Sequence, residues 1–183
     1  MNEPQAKPGT DWDRITAIAA VLIGLVAVAV SAYTAVIQRQ QIRAQVWPRL
    51  SLYFGGTAKE FGIANKGVGP AIVRSVRVEA DGKPVRDWNE LFDRLRFSDV
   101  DSYYSNLSGQ VFSPGQDMVY LKPSTPERYD ELRELAGSRF SVSVCYCSTL
   151  GECWTTGTRL ESLEDQQRPV ESCPAPGAGD FTN

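Results

Sequence analysis

Histidine is absent from all 183 residues. That removes the commonest general base and the commonest zinc ligand together, so hydrolytic triads built on imidazole and His-containing metal centres are excluded. Basic excess is missing too: 19 Lys and Arg stand against 22 Asp and Glu, for a net charge of −3, and the cations are dispersed rather than striped. Nucleic acid is therefore not expected as a partner. No phosphate-loop ending and no G-x-G-x-x-G occurs, and S-x-x-K, the pairing that would give a serine a lysine base, is also absent. These gaps leave no cofactor to expect and no catalytic residues to assign, and we read the chain as a non-enzyme.

Charge is also missing locally. Between Ile15 and Ile37 the chain runs ITAIAAVLIGLVAVAVSAYTAVI, 23 residues without a charge, bounded by Arg14 and by Gln38-Arg39. As a helix this segment is roughly 35 Å long, enough to cross a hydrocarbon core of about 30 Å. A signal peptide has a shorter apolar core, and no small-x-small cleavage site follows, so the expectation is an uncleaved transmembrane helix. Ala20, Gly24, Ala27 and Ser31 recur at helical spacing along one stripe, where close helix–helix packing is possible. The ordinary abundance of Ala and Gly in spans explains the same stripe without a partner. Lys7 and Arg14 on one side are matched by Arg39, Arg43 and Arg49 on the other, so charge leaves the orientation open.

Residues 1–14 then form a short tail, 15–37 the span and 38–47 a juxtamembrane helix that Pro48 must stop. Residues 48–163 alternate and punctuate like a β domain. Strands are expected at 50–54, 61–64, 71–80, 110–112, 117–121, 140–146 and 154–160. Turn signals separate them at Asn65-Lys66-Gly67, Gly69-Pro70, Asp81-Gly82, Ser113-Pro114-Gly115 and Leu150-Gly151. Two helices interrupt them, one with Trp88, Leu91, Phe92 and Leu95 on a face, the other opened by Thr125-Pro126-Glu127. The fold class is mainly β: one N-terminal transmembrane helix followed by a small antiparallel β-sandwich with two short helices. Residues 164–183, rich in Pro and Gly, are expected to be disordered.

Asn65, Gly67, Gly69 and Pro70 belong to a tight turn whose glycines would supply unusual backbone angles. The acidic stretch around Asp99 and Asp101 lacks the central glycine and closing glutamate of a calcium loop and reads as solvated. Asn106-Leu107-Ser108 is a glycosylation sequon with meaning only in a eukaryotic secretory pathway.

Three of the four cysteines lie in SVSVCYCSTLGECW, at 145, 147 and 153; the fourth is Cys173. Strand alternation puts Cys145 and Cys147 on one face, and a turn through 148–152 returns Cys153 opposite Cys147. The spacing C-x-C-x5-C-x19-C does not match zinc knuckles, and no metal is assigned. Reduced structural thiols would fit a cytoplasmic domain. Disulfides fit an oxidising compartment, with Cys147–Cys153 as the leading pair and Cys145–Cys173 the second, although four cysteines allow three pairings.

The blocks QRQQIRAQVWPRL, FGIANKGVGPAIVRSVRVEADGKPV and VCYCSTLGECW together resemble a family of uncharacterised bacterial proteins with one N-terminal transmembrane helix and a small extramembrane β domain. The likeness runs over about residues 20–160 and implies a bacterial inner-membrane, single-pass architecture; the disulfide reading is what puts the C-terminal domain on the extracytoplasmic side. It brings no activity with it. Two functional expectations follow. One is a membrane-anchored, non-catalytic binding or interaction module, contacting its partner by a sheet edge or the aromatics Tyr103 and Tyr104. The other is a structural or assembly subunit acting through its transmembrane helix. The lipid bilayer, and a protein partner or second copy at the span, are the expected partners.

Overall fold

The computed structural model describes residues 11–98, 101–159, 166–175, 177 and 180–182. Most of the expected N-terminal tail, Asp99 and Leu160 therefore lie outside the described residues. The chain divides into two compact units, residues 1–44 and 45–183.

The first unit is the apolar helix α1, Asp11–Gln45, which ends three residues before Pro48. Its mean hydropathy reaches 2.6 and none of that window is buried against protein. The hydroxyls along it are satisfied internally: Thr16 donates to the Trp12 carbonyl, Ser31 to Ala27 and Thr34 to Val30 at 2.8–3.0 Å. A hydroxyl that returns its hydrogen to its own helix asks nothing of its surroundings.

The second unit holds two antiparallel sheets around one core. The first sheet runs β1 (Leu50–Gly55), β2 (Glu60–Asn65), β7 (Asp117–Lys122) and β5 (Tyr103–Tyr104). The second runs β10 (Arg168–Val170), β9 (Cys153–Gly157), β8 (Phe140–Cys147), β3 (Ala71–Ala80) and β4 (Lys83–Val85), with β6 (Val111–Phe112) also on β3. Every inward position of β8 is apolar, Phe140, Val142, Val144 and Tyr146, and all four are buried. They meet Leu50, Phe61, Ile63, Tyr120 and Leu121 from the first sheet. The Phe61 ring touches those of Phe54, Tyr120, Tyr129 and Phe140 at centroid distances of 5.1–6.4 Å. Such a cluster contributes contact geometry beyond the area it buries.

The two helices cap as their residues dictate. In α2, Trp88–Leu95, the Asp87 carboxylate accepts from the Glu90 amide at 2.8 Å, and Glu90 reaches back to the Arg86 amide at 2.9 Å. In α3, Pro126–Leu135, Thr125 caps and Pro126 occupies the first turn, where no amide is needed. Their buried faces are Trp88, Leu91, Phe92 and Leu95 in one and Tyr129 and Leu132 in the other.

Two short strands within residues 48–163 escape the sequence pattern. At β4 the Asp81-Gly82 signal does make a two-residue hairpin, both residues having positive φ (50° and 74°), but Lys83–Val85 is too short to alternate. At β5, Tyr103-Tyr104 pairs with Lys122 and Leu121, giving the first sheet an aromatic edge in a stretch that reads as loop.

The larger correction concerns residues 164–183. Pro and Gly content predicts disorder there, yet among the described residues β10 pairs with β9 through Arg168↔Thr155 and Val170↔Cys153. Further along, the Phe181 amide donates to the Val76 carbonyl at 2.9 Å and the Thr182 amide to Arg86 at 2.7 Å, which uses the edge of β3 just beyond β4. Phe181 itself is buried and meets the Trp88 ring edge-on at 4.8 Å. The described residues of the tail form a strap, held by β9 and Cys145 at one end and by Val76, Arg86 and Trp88 at the other. Low local propensity does not matter where a partner edge, a disulfide and an aromatic socket supply the ordering energy.

Truncation after residue 163 removes this strap. Losing its disulfide costs about 3–4 kcal/mol by chain entropy, and losing the Phe181 side chain about 2 more. The expected outcome is a urea midpoint lowered by the equivalent of about 5 kcal/mol relative to the full chain, both measured in detergent by Trp fluorescence. Equal midpoints would show that the strap does not stabilise the domain.

Candidate functional site

Two constellations stand out, one at the entry to the domain and one on the outer face of the second sheet. At the entry the chain leaves Val46, passes Trp47 and Pro48 and begins β1, while the loop 66–70 folds over it. The Trp47 carbonyl accepts from the Val68 and Gly69 amides at 3.0 and 3.2 Å, and the Arg49 carbonyl from Lys66 at 2.7 Å. Asn65 sits fully buried beneath. Its Oδ1 accepts from the amides of Arg49 (3.1 Å) and Gly67 (3.0 Å); its Nδ2 donates to the carbonyls of Gly69 (2.8 Å) and Phe112 (3.0 Å). Its own amide and carbonyl bond Gln116 and Gly115. Every side-chain donor and one bond to each lone pair of this carboxamide is thus used, and the pattern of two amides and two carbonyls orients it uniquely.

The reason for the glycines differs from the one the sequence suggests. Neither Gly67 nor Gly69 is among the positive-φ glycines. What both require is space: a Cβ on Gly67 would lie 2.5 Å from the Trp47 oxygen, and one on Gly69 2.5 Å from the Val46 Cα. The turn is a place where two backbones touch. Pro70 sits half-buried just before β3 and closes the loop.

On the outer face, β8 presents Ser141, Ser143, Cys145 and Cys147. The hairpin to β9 closes through Ser148, whose amide donates to the Glu152 carbonyl at 2.8 Å and whose Oγ accepts from the amides of Leu150 and Glu152 at 3.2 and 3.3 Å. Gly151 takes the left-handed position with φ 85°. That loop sets the register Cys147↔Cys153, and the two are joined with Cα atoms 4.0 Å apart. The distance is shorter than the commonest disulfide separation, as suits directly opposed residues of a non-hydrogen-bonded pair. Cys145 is joined to Cys173 of the strap across 5.7 Å. No described cysteine is free.

The two bridges lie side by side: Cys147 Sγ is 3.7 Å from Cys173 Sγ, and the sulfurs of Cys147, Cys153 and Cys173 all fall within 4.8 Å of one another. In thiolate form such a group could hold a soft metal, but each sulfur is spent in a disulfide and offers no charge to a cation. A groove of ≈ 540 Å³ opens onto the three, with Arg74, Gly109 and Ala175 on its walls. On the core side, burial pushes the Tyr146 phenol up to about 12 and raises that of Tyr120 as well.

The packing stripe lies along α1 without described neighbours; nothing approaches within 4 Å of where a Cβ on Gly24 would be, and the Ser31 hydroxyl is already bonded to Ala27. Sequence reasoning treated Asn65 as a turn residue and missed its role as a buried hub. An asparagine two residues before a glycine and followed by G-x-G-P is compatible with either role, and only the long-range partners Arg49 and Phe112 distinguish them. The strap anchor Phe181 and the loop organiser Ser148 were also missed.

The fold and this site define a disulfide-stapled, two-sheet β domain preceded by a long apolar helix. The chain belongs to the family described as Domain of unknown function (DUF8453), whose model matches residues 15–164. Cys173 and Phe181 lie beyond the matched residues. No curated protein and no solved structure matches the chain.

Two outcomes are expected from substitution. Asn65→Ala strands two amides and two carbonyls and lowers stability by about 3 kcal/mol. Gly67→Ala and Gly69→Ala each lower it by about 2–3 kcal/mol through backbone overlap, whereas Gly151→Ala, strained only in φ, costs about 1. Urea unfolding of the full chain ranks them, and a Gly67→Ala variant as stable as wild type would remove the close-approach reading. For the disulfides, the longer loop dominates. Removing Cys145–Cys173 by paired alanines costs about 3.5 kcal/mol, against about 2 for Cys147–Cys153. The reverse order of midpoints would contradict the chain-entropy account.

Proposed function

We propose that the protein is a membrane-anchored, non-catalytic binding or interaction module of the bacterial inner membrane, single-pass, with its C-terminal domain on the extracytoplasmic side. The observation that carries the reading is α1. Its apolar window has a mean hydropathy of 2.6 and is wholly unburied by protein. An apolar surface of that length left in water is costly, and a bilayer covers it without further protein contacts. The internally satisfied Thr16, Ser31 and Thr34 hydroxyls support the same environment, since lipid offers no hydrogen-bond partner. The paired disulfides favour an oxidising compartment for the domain.

The contact surface we favour is β5. Tyr103 and Tyr104 are 61% and 41% exposed and form the two-residue edge strand of the first sheet, so aromatic area and unpaired backbone coincide there. Tyrosine supplies rigid, amphipathic contact area at low entropic cost, and a free edge offers main-chain hydrogen bonds. The alternative, an assembly subunit acting through its transmembrane helix, rests on the open stripe of Ala20, Gly24, Ala27 and Ser31.

Alkaline carbonate should leave the chain in the membrane pellet, and a C-terminal topology reporter should be active only outside the cytoplasm. Release by carbonate would end the anchor reading, and a cytoplasmic C-terminus would end the compartment assignment. A photo-crosslinking residue at Tyr103 should give one discrete adduct, whereas an adduct only from Gly24 would favour the assembly reading.

A further inference from the structure

Two disulfides in one small domain are ordinarily independent staples, each buried in its own surroundings. Here they are not independent. The strap carries Cys173 back over β8 so that its sulfur rests 3.7 Å from Cys147, a residue bonded elsewhere. Thiol–disulfide exchange needs a thiolate within reach of a disulfide sulfur, and 3.7 Å between sulfurs is close to the separation from which such attack begins. The same three cysteines line the ≈ 540 Å³ groove, Cys173 half-buried and Cys147 and Cys153 only 6% and 8% exposed, so the groove is the path by which an outside molecule reaches them. Arg74 is exposed on the wall of that groove, and it makes no ion pair among the described residues. A guanidinium at the mouth favours the thiolate form of an entering thiol. Cys145, bonded to Cys173, lines a second hollow of ≈ 170 Å³ together with Arg77 and Asp180.

We propose that the two disulfides form a single thiol–disulfide exchange site, entered by a small anionic thiol through the groove beside Arg74 and resolved internally by Cys147. The entering thiolate attacks Cys153 Sγ. A bond forms between the two sulfurs, the Cys153–Cys147 bond breaks, and its electron pair leaves on Cys147. The Cys147 thiolate then attacks Cys173 Sγ, forming Cys147–Cys173 and breaking Cys173–Cys145. Cys145 departs as a thiolate and takes from water the proton that the entering thiol gave up. Two disulfides enter and two leave, so no oxidant or reductant is consumed: one thiol has been captured on Cys153 and one, Cys145, released in exchange.

The structural consequence is a shift of the strap. Its attachment moves two residues along β8, about 7 Å, while it remains covalently held. The chemistry is independent of the membrane reading, because it needs only the domain and a thiol.

The test uses the full chain in detergent micelles with reduced glutathione as the probe. After acid quenching, free thiols are alkylated and the protein is digested without reduction for mass spectrometry. The expected products are glutathione on Cys153, alkylated Cys145 and a Cys147–Cys173 linkage. That linkage should exceed Cys145–Cys147, the pairing that random reshuffling favours because one residue separates them, by roughly tenfold. A second arm takes Cys153→Ser with no added thiol, which leaves Cys147 free beside Cys173, and the linkage should divide between Cys145–Cys173 and Cys147–Cys173. If that variant does not fold, the glutathione arm decides alone. Retention of both native linkages in wild type, loss of all four half-cystines together only as the domain unfolds, or equal yields of Cys147–Cys173 and Cys145–Cys147 would each overturn the proposal.

Discussion

Four hydrogen bonds of the buried Asn65 carboxamide join the chain entering β1, the adjacent loop 66–70 and the end of β6, 16 residues before it and 47 after it. Burying an amide is unfavourable unless its donors and acceptors are met, so the cost of leaving any one of these segments out of place is high. The interaction therefore acts as a lock on topology more than as a source of net stability. The glycines follow from it. With Gly69 and Gly67 held on Asn65, their backbone presses against Val46, Trp47 and Arg49, and no side chain fits between.

The second sheet depends on covalent and aromatic anchoring at its outer face. β8 lies at its centre, with β3 on one side and β9 on the other, and its outward residues are small hydroxyls and cysteines that bury little apolar area themselves. The strap makes up for this by binding Cys145, pairing with β9 and plugging the edge of β3 with Phe181. An edge that would otherwise present free backbone groups is thereby closed from within the same chain. The ion pairs contribute less. Arg139 holds Asp81 in a two-pronged contact and keeps its carboxyl below the usual range, but both side chains are largely in water. Pairs of that kind are worth little beyond local register.

Much of this architecture was legible because its signals are local. The boundaries of β3 match the alternation of Ala71–Ala80, α2 follows the spacing of Trp88, Leu91, Phe92 and Leu95, and α3 starts where Thr125-Pro126 requires. The opposition of Cys147 and Cys153 is a matter of strand period and loop length, both written within a few residues. α1 is legible for the simplest reason: no charge interrupts 23 consecutive residues.

What was not legible is long-range. The strap has the composition of a disordered tail, and its order comes from Thr155, Val76, Trp88 and Cys145, none of which lies near it in sequence. Asn65 reads as a turn residue until Phe112 is brought over it, and the proximity of Cys147 to Cys173 exists only once the strap has crossed β8. Period, capping and hydropathy are properties of neighbouring residues, so the sequence by itself determined the helix, most strands and the Cys147–Cys153 hairpin. Packing between segments 13 to more than 100 residues apart is a property of the folded chain, so only the tertiary structure decided the strap, the buried hub and the contact between the two disulfides.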